Sequence, residues 1–216
     1  MALKATIYKA DLSIADMDRN YYQEHALTIA RHPSETDERV MIRLLAFALH
    51  ADPALAYGKD LFDVEEPALW LKDLTGAIDL WIEVGQPDER RLMKAAGRAA
   101  HVIVYSYSAT SNIWFKGLAS KLERTRKISI INIPAETSAQ LEQMAQRSMQ
   151  LQCTIQDGQV WLTDGERTVQ AETSAQLEQM AQRSMQLQCT IQDGQVWLTD
   201  GERTVQVERE TLLAER

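Results

Sequence analysis

One carboxylate stands out for its setting. Glu83 lies in Ile82-Glu83-Val84-Gly85, near the end of the apolar, aromatic run IDLWIEV. Gln86 follows it, and Lys94 lies on the next segment, ERRLMKAAGRAA. Other chemistries fail on spacing. The four histidines, His25, His32, His50 and His101, contain no i,i+4 pair of the kind a helix uses to hold zinc. No Ser-His-Asp or Cys-His arrangement competes, and there is neither a Walker loop nor a Gly-rich dinucleotide fingerprint. The two cysteines, Cys153 and Cys189, are one position in two copies of a repeat. They give neither a disulfide framework nor a metal spacing, and read as reduced thiols of a cytoplasmic protein.

Charge and hydropathy narrow the partners. The net charge of −8 argues against a non-specific nucleic-acid binder, which needs clustered Lys and Arg. A local basic cluster does exist: Lys116, Lys121, Arg124, Arg126 and Lys127, opposed only by Glu123. It reads as a solvated helix end. No apolar run approaches ~20 residues, so no membrane partner is expected. The opening MALKATIYKA lacks the apolar core of a signal peptide.

The elements around Glu83 follow from patterning. LKATIYKADLS and YYQEHALTIAR read as an N-terminal β-hairpin turning at 16–20. A helix is expected from Ser34, as N-cap, to about His50. Its run Val40 to Leu49 is almost wholly apolar, so most of its circumference should be buried. Glu38 lies in its first turns with Arg39 and Arg43, and on the helix dipole alone reads as a surface carboxylate. ALWLKD and IDLWIEV form a second hairpin with Thr75-Gly76 as a two-residue loop, so that residues summing to 151 face each other. A helix follows, with Pro87 at its start and Asp88 and Glu89 in its first turn. HVIVYSY and ISIINI are buried-type strands separated by a helix over 112–123. This order implies an α/β (α+β) domain, a mixed sheet with helices on both faces.

The C-terminal third repeats itself. Ala135–Gln170 and Ala171–Gln206 are the same 36 residues, letter for letter. Each copy carries five acidic and two basic residues, so part of the net acidity belongs to the repetition. Each reads as a helix, with Leu141, Met144 and Met149 at roughly helical spacing, and a hairpin at Asp157-Gly158. Two identical modules compete for one packing site in a single domain spanning 1–216. One copy is expected to dock; the other is looped out, packs peripherally, or swaps into a second chain to give a domain-swapped dimer.

Four stretches, MALKATIYKADLSIADMDR, ARHPSETDER with RLLAF, IDLWIEVGQPDERRLMKA and MQLQCTIQDGQVWL, closely resemble the YaeQ family of small bacterial proteins. The resemblance spans nearly the whole chain apart from the second copy. It implies a fold like that of the PD-(D/E)XK nucleases, a restriction-endonuclease-like core of helix, three-stranded meander, helix and strand. There a helix-1 Glu, a strand Asp and a Glu-x-Lys hold Mg²⁺ and activate water. Carried onto this sequence, Glu83 is the metal carboxylate and Glu38 the helix-1 carboxylate. The lysine position is Gly85, and the Pro-Asp motif falls on Pro67-Ala68, without its aspartate. Glu83 faces Ala68 with Cβ atoms ~5 Å apart, where two carboxylates could share a cation. Asp79 lies on the same face ~13 Å away at strand rise, and Glu66 lies diagonal across the hairpin. Gln86 or Lys94 would replace the lysine.

Two functions follow from the resemblance. One is a Mg²⁺-dependent nuclease or phosphodiesterase with a rearranged site at Glu83, Glu38, Asp79, Glu66, Lys94 and Gln86. The other is an inactive nuclease-like domain that binds nucleic acid or a protein, using Trp70, Trp81, Trp114 and the basic cluster as a contact surface. Trp81, flanked by buried-type residues, reads as core.

Overall fold

A computed structural model describes residues 5–58, 65–122 and 125–172, with strands at 188–192, 195–199 and 204–207. By chain contacts it divides into two units, Met1–Ala175 and Gln176–Arg216.

In the first unit, the helix expected to be buried over most of its circumference is buried all round in its second half. α1 (Asp37–Leu49) has every residue from Val40 to Ala48 buried. A helix apolar on all sides needs cover on all sides, and two sheets provide it. One is β10-β9-β8-β1-β2, built from β1 (Thr6–Asp16), β2 (Tyr21–Arg31), β8 (Ser148–Gln156), β9 (Gln159–Thr163) and β10 (Thr168–Glu172). The other is β3-β4-β5-β6-β7, from β3 (Leu55–Tyr57), β4 (Leu69–Lys72), β5 (Ile78–Val84), β6 (Ala99–Ser106) and β7 (Ile128–Asn132). The expectation of one mixed sheet is corrected to two. Leu12, Ile14, Leu151 and Cys153 of the first and Ile82, Val84 and Tyr105 of the second join α1 in one core. Burial raises the Cys153 thiol pKa to about 12, which keeps it protonated and unreactive.

The second sheet is antiparallel from β3 to β5 and parallel from β5 to β7. α2 (Glu89–Arg98) and α3 (Ser111–Leu122) make the parallel crossovers. They share a second core with Trp81, Val102 and Val104, so helices do cover both faces of this sheet.

Several local expectations shift. Thr36, not Ser34, caps α1, its side chain accepting from the Arg39 amide; the Ser34 hydroxyl instead meets His32 Nδ1 at 2.8 Å. Asp88 is the N-cap of α2 and accepts from the Arg91 amide at 2.7 Å. The β4–β5 register sums to 151 from Leu69↔Ile82 to Leu71↔Leu80, then slips at Lys72. The slip arises because Asp73 organises the loop, its carboxylate accepting from the amides of Thr75 and Ala77. α4 (Ala135–Glu142) is short, and Met149 belongs to β8 rather than to a helix.

A strand of the first copy joins the sheet of β1 and β2. β8 runs parallel to β1 from Lys9↔Ser148 to Asp16↔Ile155. Its hairpin turns at Asp157 (φ 52°) and Gly158 (φ 74°), the left-handed pair such a turn needs. In the second unit, β11 (Gln188–Gln192), β12 (Gln195–Thr199) and β13 (Thr204–Val207) form an antiparallel sheet of their own. The junction shows how context decides structure. Ala135-Glu136 opens α4, whereas the identical Ala171-Glu172 closes β10, with Ala171 opposite Val160.

The C-terminus of α1 carries a half-buried titratable group. His50 caps the helix and meets the Tyr105 hydroxyl at 2.7 Å. Burial, with Arg19's charge in support, lowers its pKa to about 4, outweighing the helix-end dipole that favours a cation. An unfolded histidine titrates near 6.5, so between these values the unfolded chain holds the proton and the folded one does not. Stability should therefore fall by about 3 kcal/mol as pH drops from about 6.5 to about 4. Urea midpoints across this range should show that loss in the natural chain and a smaller one in His50→Gln. Hydrogen exchange should find β8 amides much better protected than those of β11, since β8 is paired on both edges.

Candidate functional site

Glu83 is buried, with 3% of its surface exposed. β5 presents it on the same face as Trp81, beneath α2. Trp81 Nε1 and Arg91 Nε both donate to Glu83 Oε1, each at 2.8 Å. Arg91 arrives there because Asp88 fixes the first turn of α2, and its Nη2 also donates to the Glu66 carbonyl at 2.9 Å. One guanidinium thus ties β5, the chain entering β4, and α2 together. A planar fork with five donors suits such a junction.

Of the two positions that lack a catalytic residue, Gly85 has a backbone reason. Gly85 has φ +107° as the chain leaves β5, and its amide donates to the Tyr105 carbonyl at 2.8 Å. There is space for a side chain, but lysine would be strained at that φ. Ala68 donates its amide to the Ile82 carbonyl at 3.0 Å, one residue out of the Leu69↔Ile82 register, so the expected direct pairing with Glu83 is not kept. Its carbonyl accepts from the Gly58 amide at 3.1 Å.

The other candidates are distributed around this centre. Glu66 reaches Arg91 through its backbone carbonyl. Glu38 accepts from Ser138 Oγ at 2.6 Å, fastening α4 to α1. Asp79 is exposed on β5. Gln86 Nε2 donates to Ser108 Oγ at 2.6 Å and to Thr110 Oγ1 at 3.0 Å. Lys94 pairs with Glu65, which Arg98 also holds, at 2.9 Å. Among the described residues, no group of three or more His, Cys, Asp or Glu side chains could hold a metal ion. The donor set around Glu83 does not fit Mg²⁺: the carboxylate is charge-paired with Arg91, and a cation would have to displace that guanidinium.

A second buried carboxylate escaped the sequence reading. Glu35, at 3% exposure, pairs with Arg39 Nη1 at 2.7 Å and Arg43 Nη1 at 2.9 Å. Arg39 Nη2 continues to the Val84 carbonyl at 3.3 Å, beside Glu83 in the chain. The two arginines therefore keep company with Glu35, not Glu38. The signal was present: Glu35, Arg39 and Arg43 recur every four residues, and Arg43 interrupts an apolar run.

The basic cluster is partly spent on structure. Lys121 pairs with Glu89 at 2.7 Å, and Lys127 Nζ donates to the carbonyls of Ala96 and Ala99 at the end of α2. Arg124 and Glu123 lie outside the described residues. Trp81 is buried, as expected, and Trp70 meets it edge-on at 6.3 Å. Trp114 Nε1 donates to the Pro87 carbonyl at 3.1 Å. Among the described residues no helix is long and apolar enough to cross a membrane.

A profile of the YaeQ protein family matches residues 1–173 and, separately, 167–209. The uncharacterized protein YaeQ of Salmonella typhi is 46% identical over 171 residues, covering 79% of this chain and 94% of that protein. Its counterpart in Escherichia coli (strain K12) is equally similar, at 46% over the same length. The crystal structure of YaeQ protein from Xanthomonas axonopodis pv. citri superposes with a TM-score of 0.75 at 44% identity, covering 78% of this chain and 96% of that one. That of YaeQ protein from Pseudomonas syringae gives 0.75 at 35%, covering 78% and 93%.

The Glu83–Arg91 pair should behave as a buried ion pair. Arg91→Ala should lower stability by about 3 kcal/mol, because it strands a buried carboxylate. Arg91→Ala with Glu83→Gln should recover a large part of that loss, as measured by a double-mutant cycle in urea.

Proposed function

The chain belongs to the YaeQ family, and from that premise we propose that it is a nuclease-like domain that binds nucleic acid without cleaving it. The element order supports the nuclease-like reading. α1, the meander β3–β4–β5, α2 and β6 follow one another as helix, three-stranded meander, helix and strand. That order is the one a restriction-endonuclease-like core would have, which supports the reading the family resemblance implies.

The observation that carries the binding role is the Arg91 guanidinium at Glu83. A metal nuclease uses carboxylates there to hold a cation, which polarises phosphate and lowers the pKa of bound water. A guanidinium can still attract a phosphate, but it cannot generate hydroxide. The lysine position is a glycine whose φ disfavours a side chain, so the chain lacks that usual second cation as well. Recognition then rests on arginine, and cleavage has no activated water.

A second reading, a Mg²⁺-dependent phosphodiesterase with a rearranged site, is favoured by one feature. One guanidinium, that of Arg91, bonds both the Glu83 carboxylate and the Glu66 carbonyl. If that side chain swung away, Glu83 and Glu66 would become the candidate ligands, with Lys94 or Gln86 as candidate positioning groups.

The test combines labelled single-stranded, duplex and branched oligonucleotides with Mg²⁺ and Mn²⁺ titration calorimetry. Binding that persists in EDTA, without cleavage or saturable metal uptake, is expected. Metal-dependent cleavage abolished by Glu83→Gln would overturn the binding role in favour of the enzyme. Failure to retain any oligonucleotide would overturn the nucleic-acid partner and leave a protein partner as the alternative to pursue.

A further inference from the structure

The meander β8–β9–β10 has a twin in the second unit, strand for strand. β8 pairs with β9 from Gln152↔Thr163 to Gln156↔Gln159, and β11 pairs with β12 from Gln188↔Thr199 to Gln192↔Gln195. Each partner in the second meander stands 36 positions after its counterpart in the first. β10 and β13 continue the match: Val169↔Leu162 becomes Val205↔Leu198, and Ala171↔Val160 becomes Val207↔Val196. That last pair is where the two sets of paired residues differ, alanine in one and valine in the other. The family profile fits both, ending at residue 173 in one match and at 209 in the other. The neighbours are not alike. β8 lies along β1 from Lys9↔Ser148 to Asp16↔Ile155, whereas β11 is the edge strand of its own sheet. An edge strand presents unpaired backbone groups, ready to pair with another strand.

We propose that the two meanders exchange: in a second, less populated isomer of the same chain, β11, β12 and β13 take the place of β8, β9 and β10 beside β1, and the first copy is extruded. The core cannot tell the copies apart by Cys153, Ile155, Val160 or Leu162, because the residues 36 positions on are the same. One side chain does change. Ala171 is 1% exposed in that core, and Val207 would take its seat. Two more buried carbon atoms favour the exchanged isomer by about tenfold. Two costs weigh the other way and keep the first isomer the major one. The connection from β7 to the seated meander lengthens by 36 residues. α4 is also fastened to α1 a few residues after β7, Ser138 Oγ donating to Glu38 at 2.6 Å. Extruding the first copy breaks that contact. The exchange is independent of the nucleic-acid reading.

The thiol of Cys153, 1% exposed in β8, reports the exchange, since it is reached only when the first meander leaves its seat. The experiment uses the full chain with Cys189→Ala, which leaves that one thiol. Its alkylation is followed where the rate scales with iodoacetamide concentration, so that the rate reads the population of the open form. Val207→Ala should slow the reaction about tenfold by removing the advantage of the second copy. Leu198→Asp should slow it further, because the counterpart of Leu198 is Leu162, 1% exposed, and a carboxylate buried there bars the second copy from the seat. Both substitutions lie in the second unit, so neither can unfold the first as it stands. Simple loosening of β8 would respond to neither. An unchanged or faster rate in either variant overturns the exchange. So does a rate that rises with protein concentration, which would move the replacement strand to a second chain.

Discussion

The burial of α1 is the constraint from which the rest follows. Thirteen residues, DERVMIRLLAFAL, form a helix with no solvent side between Val40 and Ala48. One sheet can cover only part of such a helix, so the chain builds two. That requirement recruits β1 and β2 from the N-terminus and β8, β9 and β10 from beyond β7. It also explains why the C-terminal module matters: without β8 the inner side of the first sheet would lose Met149, Leu151, Cys153 and Ile155 from the core. The ends of α1 are tied as firmly as its sides. Arg19 Nη1 and Nη2 reach the carbonyls of Ala51 and Ala48, each at 3.4 Å, while buried Asp16 holds Arg19 Nε at 2.5 Å.

Much of this was legible in the sequence. The hairpin of β1 and β2, the buried helix, the β6 and β7 strands and the Asp157-Gly158 turn were all written in alternation, apolar runs and turn residues. These are signals of local period and local backbone chemistry. The sheet β10-β9-β8-β1-β2 was not legible, because the pairing of β1 with β8 joins residues about 140 positions apart and no local pattern records it. Ser34 and Thr36 are both good caps, and only the packing of Arg39 and Glu35 chooses between them. Ala135-Glu136 and Ala171-Glu172 make the same point more sharply, since one dipeptide takes two conformations.

The site was legible in its centre and obscure in its surroundings. Glu83 could be found because a carboxylate in a buried strand demands a partner. The partner's identity could not, since Arg91, Gln86 and Lys94 all follow closely in the chain. Helix phase decides among them: Arg91 is aimed back at β5 by the Asp88 cap, whereas Lys94 points to Glu65. Glu35 was hidden for the opposite reason, being one of several acidic residues near a helix start, where dipole arguments explain any carboxylate equally well. An ion pair with arginine and a cation held by carboxylates draw on the same residues. They differ in which partner brings the positive charge, the solvent or the chain itself.

The two identical copies have a consequence beyond architecture. The groove beside β1 is matched to the sequence of β8, and the chain contains that sequence twice. Loop closure grows only slowly with length, so reaching the groove from 36 residues further along costs little extra entropy. A harmful substitution in the docked copy therefore need not be fatal to the fold, because an unaltered spare is tethered to the same molecule.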